Sequence, residues 1–191
     1  MERKNICVYC SSSDALDEIY FKQARELGRL IAVKNYNLVY GGSNVGLMNE
    51  VACSVRNNGG HVIGVIPERI RDHGVADQLA HELLIAPDMK ERKAWMRDRA
   101  DAYVALPGGF GTLEEILEVI TLKQLGFHQL PIAFVDVDGF YGPLLQQFEQ
   151  FYEKGIAKPD YRSLYKVCDS SEKALDYIGD YIPKGVTTKW F

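Results

Sequence analysis

Apolar residues along the chain follow two alternating rhythms. Short, nearly continuous apolar runs at residues 6–9, 38–40, 62–66, 83–86, 103–106, 132–135 and 165–167 read as strands. Between them apolar positions recur every three to four residues. That spacing predicts helices over residues 15–34, 46–57, 89–100, 113–125, 141–153 and 171–181. In the first helix Ala24, Leu27, Leu30 and Ile31 share one face. Strands that are apolar on both faces belong to a sheet covered on both sides. Strict alternation of strand and helix implies parallel strands and right-handed crossovers. The expected fold is α/β: a Rossmann-like, doubly wound, mainly parallel sheet of about seven strands with helices on both faces. Residues 1–191 are expected to form one nucleotide-binding domain.

Ligands of such sheets bind at the carboxyl ends of the strands. Three of those ends carry suggestive residues. Cys10-Ser11-Ser12-Ser13 follows the first strand, and Gly41-Gly42-Ser43-Asn44-Val45-Gly46 follows the second. The run Pro107-Gly108-Gly109-Phe110-Gly111-Thr112-Leu113-Glu114-Glu115 follows the fifth. Its glycines let the backbone come close to a ligand. The unpaired N–H groups of the helix that begins there point at any anion in front of them. The turn at residues 41–46 has neither the G-x-G-x-x-G spacing of dinucleotide sites nor the Lys-Ser/Thr of a P-loop. Alone it serves equally well as a tight strand-to-helix connection. Two such turns facing one crevice favour a phosphate or nucleotide ligand.

Thr112-x-x-Glu115 matches a capping box, in which the glutamate reaches back to the first amide of its helix. From spacing alone that role stands ahead of catalysis. Glycosidic chemistry gives the carboxylate another use. Cleavage of a ribosyl bond builds positive charge on the sugar, which a carboxylate stabilises, or the carboxylate activates water. The helix opening Met89-Lys90-Glu91-Arg92-Lys93 sets two cations, Arg92 and Lys93, near a helix N-terminus, where the helix dipole disfavours them. They belong to a solvated basic face, or they have an anionic partner, either a phosphate or Glu115.

Composition removes several other classes. Hydrophobic residues at 47% and charged residues at 25% describe an ordinary globular chain. A net charge of −4 without a long basic run argues against nucleic acid as a partner. No apolar stretch approaches the ~18 residues of a membrane span. Residues 1–5 lead into a strand without the apolar region of a signal peptide, so a cytoplasmic location is expected. Cys7 and Cys10 form a C-x-x-C, but on a strand that spacing puts them on opposite faces. With no second Cys or His pair to complete a metal set, Cys7, Cys10, Cys53 and Cys168 are expected to be plain thiols and no metal site is expected. His61, His73, His81 and His128 show no ligand spacing.

Three stretches taken together, P-G-G-F-G-T-L-E-E, E-R-K-A-W-M and G-G-S-N-V-G-L-M, resemble the LOG family, the cytokinin riboside 5′-monophosphate phosphoribohydrolases, once described as possible lysine decarboxylases. The likeness extends to the opening I-C-V-Y-C-S-S-S, to L-E-V-I-T-L-K-Q-L-G and to D-G-F-Y-G-P-L-L. It implies hydrolysis of the N-glycosidic bond of adenine-type nucleoside 5′-monophosphates, with no cofactor. It implies that Arg92 and Glu115 are the essential pair. The implied substrate-binding set is Gly42, Ser43, Met89, Arg92, Lys93, Gly108, Gly109, Phe110, Gly111, Thr112, Glu115 and Thr121. A homodimer with sites near the interface is also implied. The apolar residues Leu113, Ile116, Leu117, Val119, Ile120, Leu122 and Leu125, spread over more than one helix face, fit such a partner. Lys90 stands where members often carry a histidine. Gly74 stands where several carry an acidic substrate contact, so base selectivity is the property most open to change. No lysine sits in a recognisable pyridoxal phosphate context, which leaves the decarboxylase description without a chemical basis. The rival readings are a general purine nucleoside 5′-monophosphate nucleosidase and a non-catalytic nucleotide or cofactor carrier on the same fold.

Overall fold

In the computed structural model, which describes residues 3–183, seven strands form one fully parallel sheet in the order β4-β3-β2-β1-β5-β6-β7. The strands are β1 (Asn5–Tyr9), β2 (Asn37–Tyr40), β3 (His61–Pro67), β4 (Glu82–Ala86), β5 (Ala102–Ala105), β6 (Ile132–Val135) and β7 (Lys166–Cys168). The helices are α1 (Glu18–Val33), α2 (Gly46–Asn57), α3 (Glu68–Ile70), α4 (Met89–Asp98), α5 (Phe110–Gln124), α6 (Gly142–Glu153) and α7 (Ser171–Gly179). The chain builds outward from β1 to the β4 edge, then returns to add β5, β6 and β7 on the other side. The winding therefore reverses between β1 and β5. The reversal opens a crevice at the carboxyl ends of that strand pair, the usual ligand position in an open α/β sheet.

The core is split by the sheet, as alternation along buried strands requires. Ile6 and Val8 point to a layer formed with Leu27 and Ile31 of α1, Val51 and Val55 of α2, and Leu175 and Ile178 of α7. Cys7 and Tyr9 point the other way, to Met96 of α4, Ile116 and Val119 of α5, and Phe148 and Tyr152 of α6. Cys7 and Cys10 accordingly sit in different layers, and burial pushes both thiols up to about 12. At neutral pH they are protonated apolar filler rather than nucleophiles or metal ligands. No helix among the described residues is long and apolar enough to cross a membrane.

Most predicted elements recur within a few residues, and two helix starts differ for a reason. Helix α1 begins at Glu18 rather than at residue 15. Asp14 is turned toward α2, where its carboxylate accepts a hydrogen bond from the Gly46 amide at 2.8 Å. Helix α5 begins at Phe110 rather than at residue 113, with Gly109 at the N-cap. The predicted connection after β3 is in fact helical. Helix α3 runs on as a π-helical turn over Arg71–Val75, broken where Gly74 takes φ 78°.

Lys123, near the end of α5, is only 1% exposed, and its Nζ has no hydrogen-bond partner among the described residues. Desolvation pushes its ammonium down to about 8. The unfolded chain holds that proton up to about pH 10.4, so between those values the unfolded state binds more protons and stability rises with pH. Lys123→Met should remove this rise and make the protein more stable near neutral pH. Urea melts of both proteins from about pH 7 to about pH 10 check it through the difference between the two curves.

Candidate active site

A cavity of about 500 Å³ lies at the crevice between β1 and β5. One wall is the start of α5, with Gly109, Phe110, Gly111 and Thr112. Here the N-cap glycine contributes no side-chain cap. The first-turn amides of Phe110, Gly111 and Thr112 have no partner within the helix. A Cβ built on Gly109 or Gly111 would meet nothing within 4 Å. Packing does not require glycine at those two positions; the space in front of them is open for a ligand. Gly108, by contrast, does not line the cavity. A Cβ there would strike the Thr112 hydroxyl and come within 3.0 Å of the Ser11 amide. Its bare backbone lets the β5 turn close on the β1 loop, where the Ser11 amide donates to the Pro107 carbonyl at 3.1 Å.

The floor is an ion pair between Arg92 of α4 and Glu115 of α5, each only 8% exposed. Arg92 Nη1 donates to Glu115 Oε1, and Arg92 Nε donates to the Val65 carbonyl at 3.2 Å. Burial lowers the proton affinity of the guanidinium, yet arginine remains charged at any physiological pH. A buried charge of this kind needs a counter-charge, and Glu115 provides it. Because α5 starts at Phe110, Thr112 is the third residue of the helix and Glu115 lies almost a full turn further in. The capping-box reading of this pair is therefore corrected. Thr112 is not the N-cap, and the Glu115 carboxylate is directed across to α4 instead of back to its own N-terminus.

The second glycine turn does not make a second anion cradle. The α2 N-terminus is already occupied by the Asp14 carboxylate and by the Ser11 carbonyl, which accepts from the Leu47 amide at 3.0 Å. Gly46 (φ 57°) leaves no room for a Cβ, which would lie 2.5 Å from the Ser12 carbonyl carbon. Gly41 does face the cavity. A Cβ on it would strike Arg92 Nη2 and approach Met48 Sδ to 2.7 Å, so its role is to make room for the guanidinium. Gly42 (φ 69°) is turned away against β3, where a Cβ on it would lie 3.1 Å from the Ile66 side chain. Ser43 lines the cavity with its hydroxyl already donated to the Val75 carbonyl at 2.9 Å.

The remaining residues of the expected set divide the same way. Met89 is half exposed at the rim, and Phe110 is 94% exposed beside it. Lys93 lies outside the cavity, paired with Glu114 and, at 3.5 Å, with Glu118. Arg97 joins Glu118 at 2.8 Å, so this ladder clamps α4 to α5 and holds Arg92 in line with Glu115. Thr121 is also outside. It sits on the exposed face of α5 with its hydroxyl donated to the Leu117 carbonyl at 2.8 Å. Among the described residues no histidine and no lysine lines the cavity.

Several lining residues stand outside the expected substrate-binding set. Ser11, Ser12 and Ser13 cross the mouth, and only their place after the first strand signalled them. Met48, Ile70 and Val75 make an apolar wall. Ile70 and Val75 come from the helical segment at residues 68–75, whose shortness left no readable period. Gly74 lies between them with open space around it. The acidic side chain that the resemblance gives several members there is absent, and the neighbouring lining residues Ile70 and Val75 are apolar.

The family model described as possible lysine decarboxylase matches residues 48–178. The chain is 40% identical over 181 residues to the cytokinin riboside 5′-monophosphate phosphoribohydrolase LOG1 of Arabidopsis thaliana, covering 95% of this chain and 85% of that protein. It is 42% identical over 180 residues to a rice protein (Oryza sativa subsp. japonica) named "Probable cytokinin riboside 5′-monophosphate phosphoribohydrolase LOGL9", covering 94% and 79%. Among solved structures, the molybdenum cofactor binding protein from the phototrophic bacterium Rippkaea orientalis superposes with a TM-score of 0.71 at 22% identity, over 94% of this chain and 97% of that one. The Moco carrier protein from Chlamydomonas reinhardtii gives 0.71 at 20% identity, over 93% and 96%. These two share the fold.

Gly41→Ala tests the geometry without touching a charged group. The added methyl should push Arg92 off Glu115 and cost about 1–3 kcal/mol of stability, the usual scale of overpacking. Any activity that depends on the pair should fall at least about tenfold, about 1.4 kcal/mol of barrier. Denaturant melts and steady-state turnover measure the two effects separately.

Proposed function

The chain belongs to the LOG family of cytokinin riboside 5′-monophosphate phosphoribohydrolases, hydrolases of N-glycosyl bonds, and we propose that Glu115 and Arg92 carry that reaction here. The observation behind this reading is the buried Arg92–Glu115 pair, set in the floor of a cavity whose wall is an uncapped helix N-terminus. The substrate phosphate lies on the amides of Phe110, Gly111 and Thr112, where partial positive charge and free donors coincide. Glu115, at the next turn of the same helix, then faces the ribose.

The bond between the sugar C1′ and the base nitrogen breaks, and the electron pair leaves with the base, which takes up a proton. Positive charge grows on the ribose ring, and Glu115 stabilises it or accepts a proton from the attacking water. The water oxygen bonds to C1′, giving the free base and ribose 5-phosphate. Arg92 fixes the carboxylate in place through its second anchor on Val65. The apolar wall of Met48, Ile70 and Val75 suits a planar base carrying an apolar substituent, and AMP is included as a smaller substrate.

A pure carrier on this fold would bind phosphate without needing a buried carboxylate beside it. A lysine decarboxylase would need a lysine to hold pyridoxal phosphate, and none lines the cavity. The four cysteines are free, which suits a reducing compartment and the cytoplasm. The homodimer also belongs to this reading. On α5, Ile116 and Val119 are buried in their own chain, but Leu113, Leu117 and Ile120 are only partly covered, and just past its end Leu125 and Phe127 are exposed at 39% and 74%. Thr121 lies on that same helix and faces outward, available to the neighbouring subunit.

Glu115→Gln keeps size and hydrogen bonding but removes the charge. Release of free base from AMP and from isopentenyladenosine monophosphate should drop at least about 100-fold, the scale of a lost electrostatic stabiliser. Near-normal turnover would refute the assignment. The phosphate has its own check: adenosine should be cleaved far more slowly than AMP, and equal rates would remove the α5 amides from the mechanism. Light scattering at micromolar concentration should give twice the 21.6 kDa chain mass, and a fully active monomer would contradict the dimer.

A further inference from the structure

Near the other end of α5 from the active cavity, a second cavity of about 470 Å³ is bounded by Lys123, the 3₁₀ turn Pro159–Leu164, β7 and the end of α7. Lys123 is the unusual group there. It is 1% exposed, and its ammonium finds no hydrogen-bond acceptor and no carboxylate among the described residues. The nearest compensation is the Tyr181 ring, whose centroid is 4.9 Å from Nζ. A cation–π contact offsets part of the desolvation but leaves the N–H donors unused. Native proteins rarely leave a buried cation in this state unless something completes it.

The other cavity walls indicate what that something is. Tyr165, Tyr177, Tyr181 and Ile182 supply apolar and aromatic surface. Arg162 and Lys166 add positive charge at the rim, with the Arg162 guanidinium already paired to Glu149. Asp180 is the one acid in the lining, and it does not pair with Lys123. Burial lowers the proton affinity of His128, the Lys123 charge adds to that, and its Nε2 lies 2.9 Å from the Val119 carbonyl. A phosphate dianion would need several converging donors, whereas a single buried ammonium with aromatic walls matches one carboxylate on an apolar body.

We propose that this cavity is a second ligand site, distinct from the nucleotide cavity, that binds a small apolar monocarboxylate with Lys123 as its buried counter-ion. Nζ is closed to solvent, so the Tyr181 ring swings off it to let the carboxylate accept from Nζ, and the body lies against the tyrosine rings. Binding favours the charged ammonium. Because Lys123 alone loses its proton near pH 8, the complex takes up a fraction of a proton there.

Isothermal titration calorimetry on the full chain near pH 7 tests this, with benzoate as the probe and inorganic phosphate as the comparison. Benzoate should bind saturably, one per chain. Lys123→Met and Lys123→Gln, each checked for folding by circular dichroism, should weaken it at least about tenfold, the scale of a lost charged hydrogen bond. Saturating ribose 5-phosphate should leave benzoate binding unchanged, and benzoate affinity should fall as pH rises from about 7 to about 9.5. No saturable benzoate binding, equal affinity in folded Lys123 variants, displacement by ribose 5-phosphate, or a preference for inorganic phosphate would each overturn the proposal.

Discussion

The ion pair between Arg92 and Glu115 is the constraint around which the rest of the site is arranged. Both groups are taken out of water, and such a pair persists only if each charge is met and the remaining donors are used. Arg92 uses its Nε on the Val65 carbonyl at the end of β3 and its Nη1 on Glu115. Three elements from two halves of the sheet are thereby joined at one guanidinium. Gly41 is bare because Nη2 occupies the place of its side chain. The α4–α5 ladder of Lys93 and Arg97 with Glu114 and Glu118 keeps the two helices in register for the buried pair. Charges that a sequence reader would assign to ligand binding are mostly used in holding this one contact.

The second feature is an asymmetry between two similar turns. Helices α2 and α5 both begin after a glycine-rich turn at the carboxyl end of a strand. At α2 the dipole and the free amides are met within the chain by Asp14 and the Ser11 carbonyl. At α5 they are left open, with glycines on which a Cβ would touch nothing. A helix N-terminus attracts whichever anion is nearest. With one of these two termini filled by the chain's own carboxylate, the open one is on the same helix as Glu115.

How much of this was readable in advance follows from the range of each interaction. Strand and helix periods are local, so the seven strands, the parallel order implied by strict alternation, and the two-sided core could be read from apolar spacing. So could the strand, glycine turn and helix of the run from Pro107 to Glu115, because its glycines and its carboxylate are neighbours in the chain. The helical segment at residues 68–75 was missed because it is too short for a period to show. The start of α5 was misplaced because a glycine N-cap carries no side-chain signal, and that shift of three residues is what turned Glu115 from a cap into a partner of Arg92.

Sequence by itself thus determined the fold class, the family, and the residue types available for chemistry, since all of these rest on patterns within a few turns of chain. Tertiary structure alone decided which of those residues work together. Whether Lys93 faces a ligand or a helix, whether Asp14 or a phosphate sits on α2, and whether the Lys123 ammonium is met or left alone all depend on groups 20 or more residues away. Electrostatic pairing and desolvation act through space. A chain that places its charges by folding reveals their partners only once it has folded.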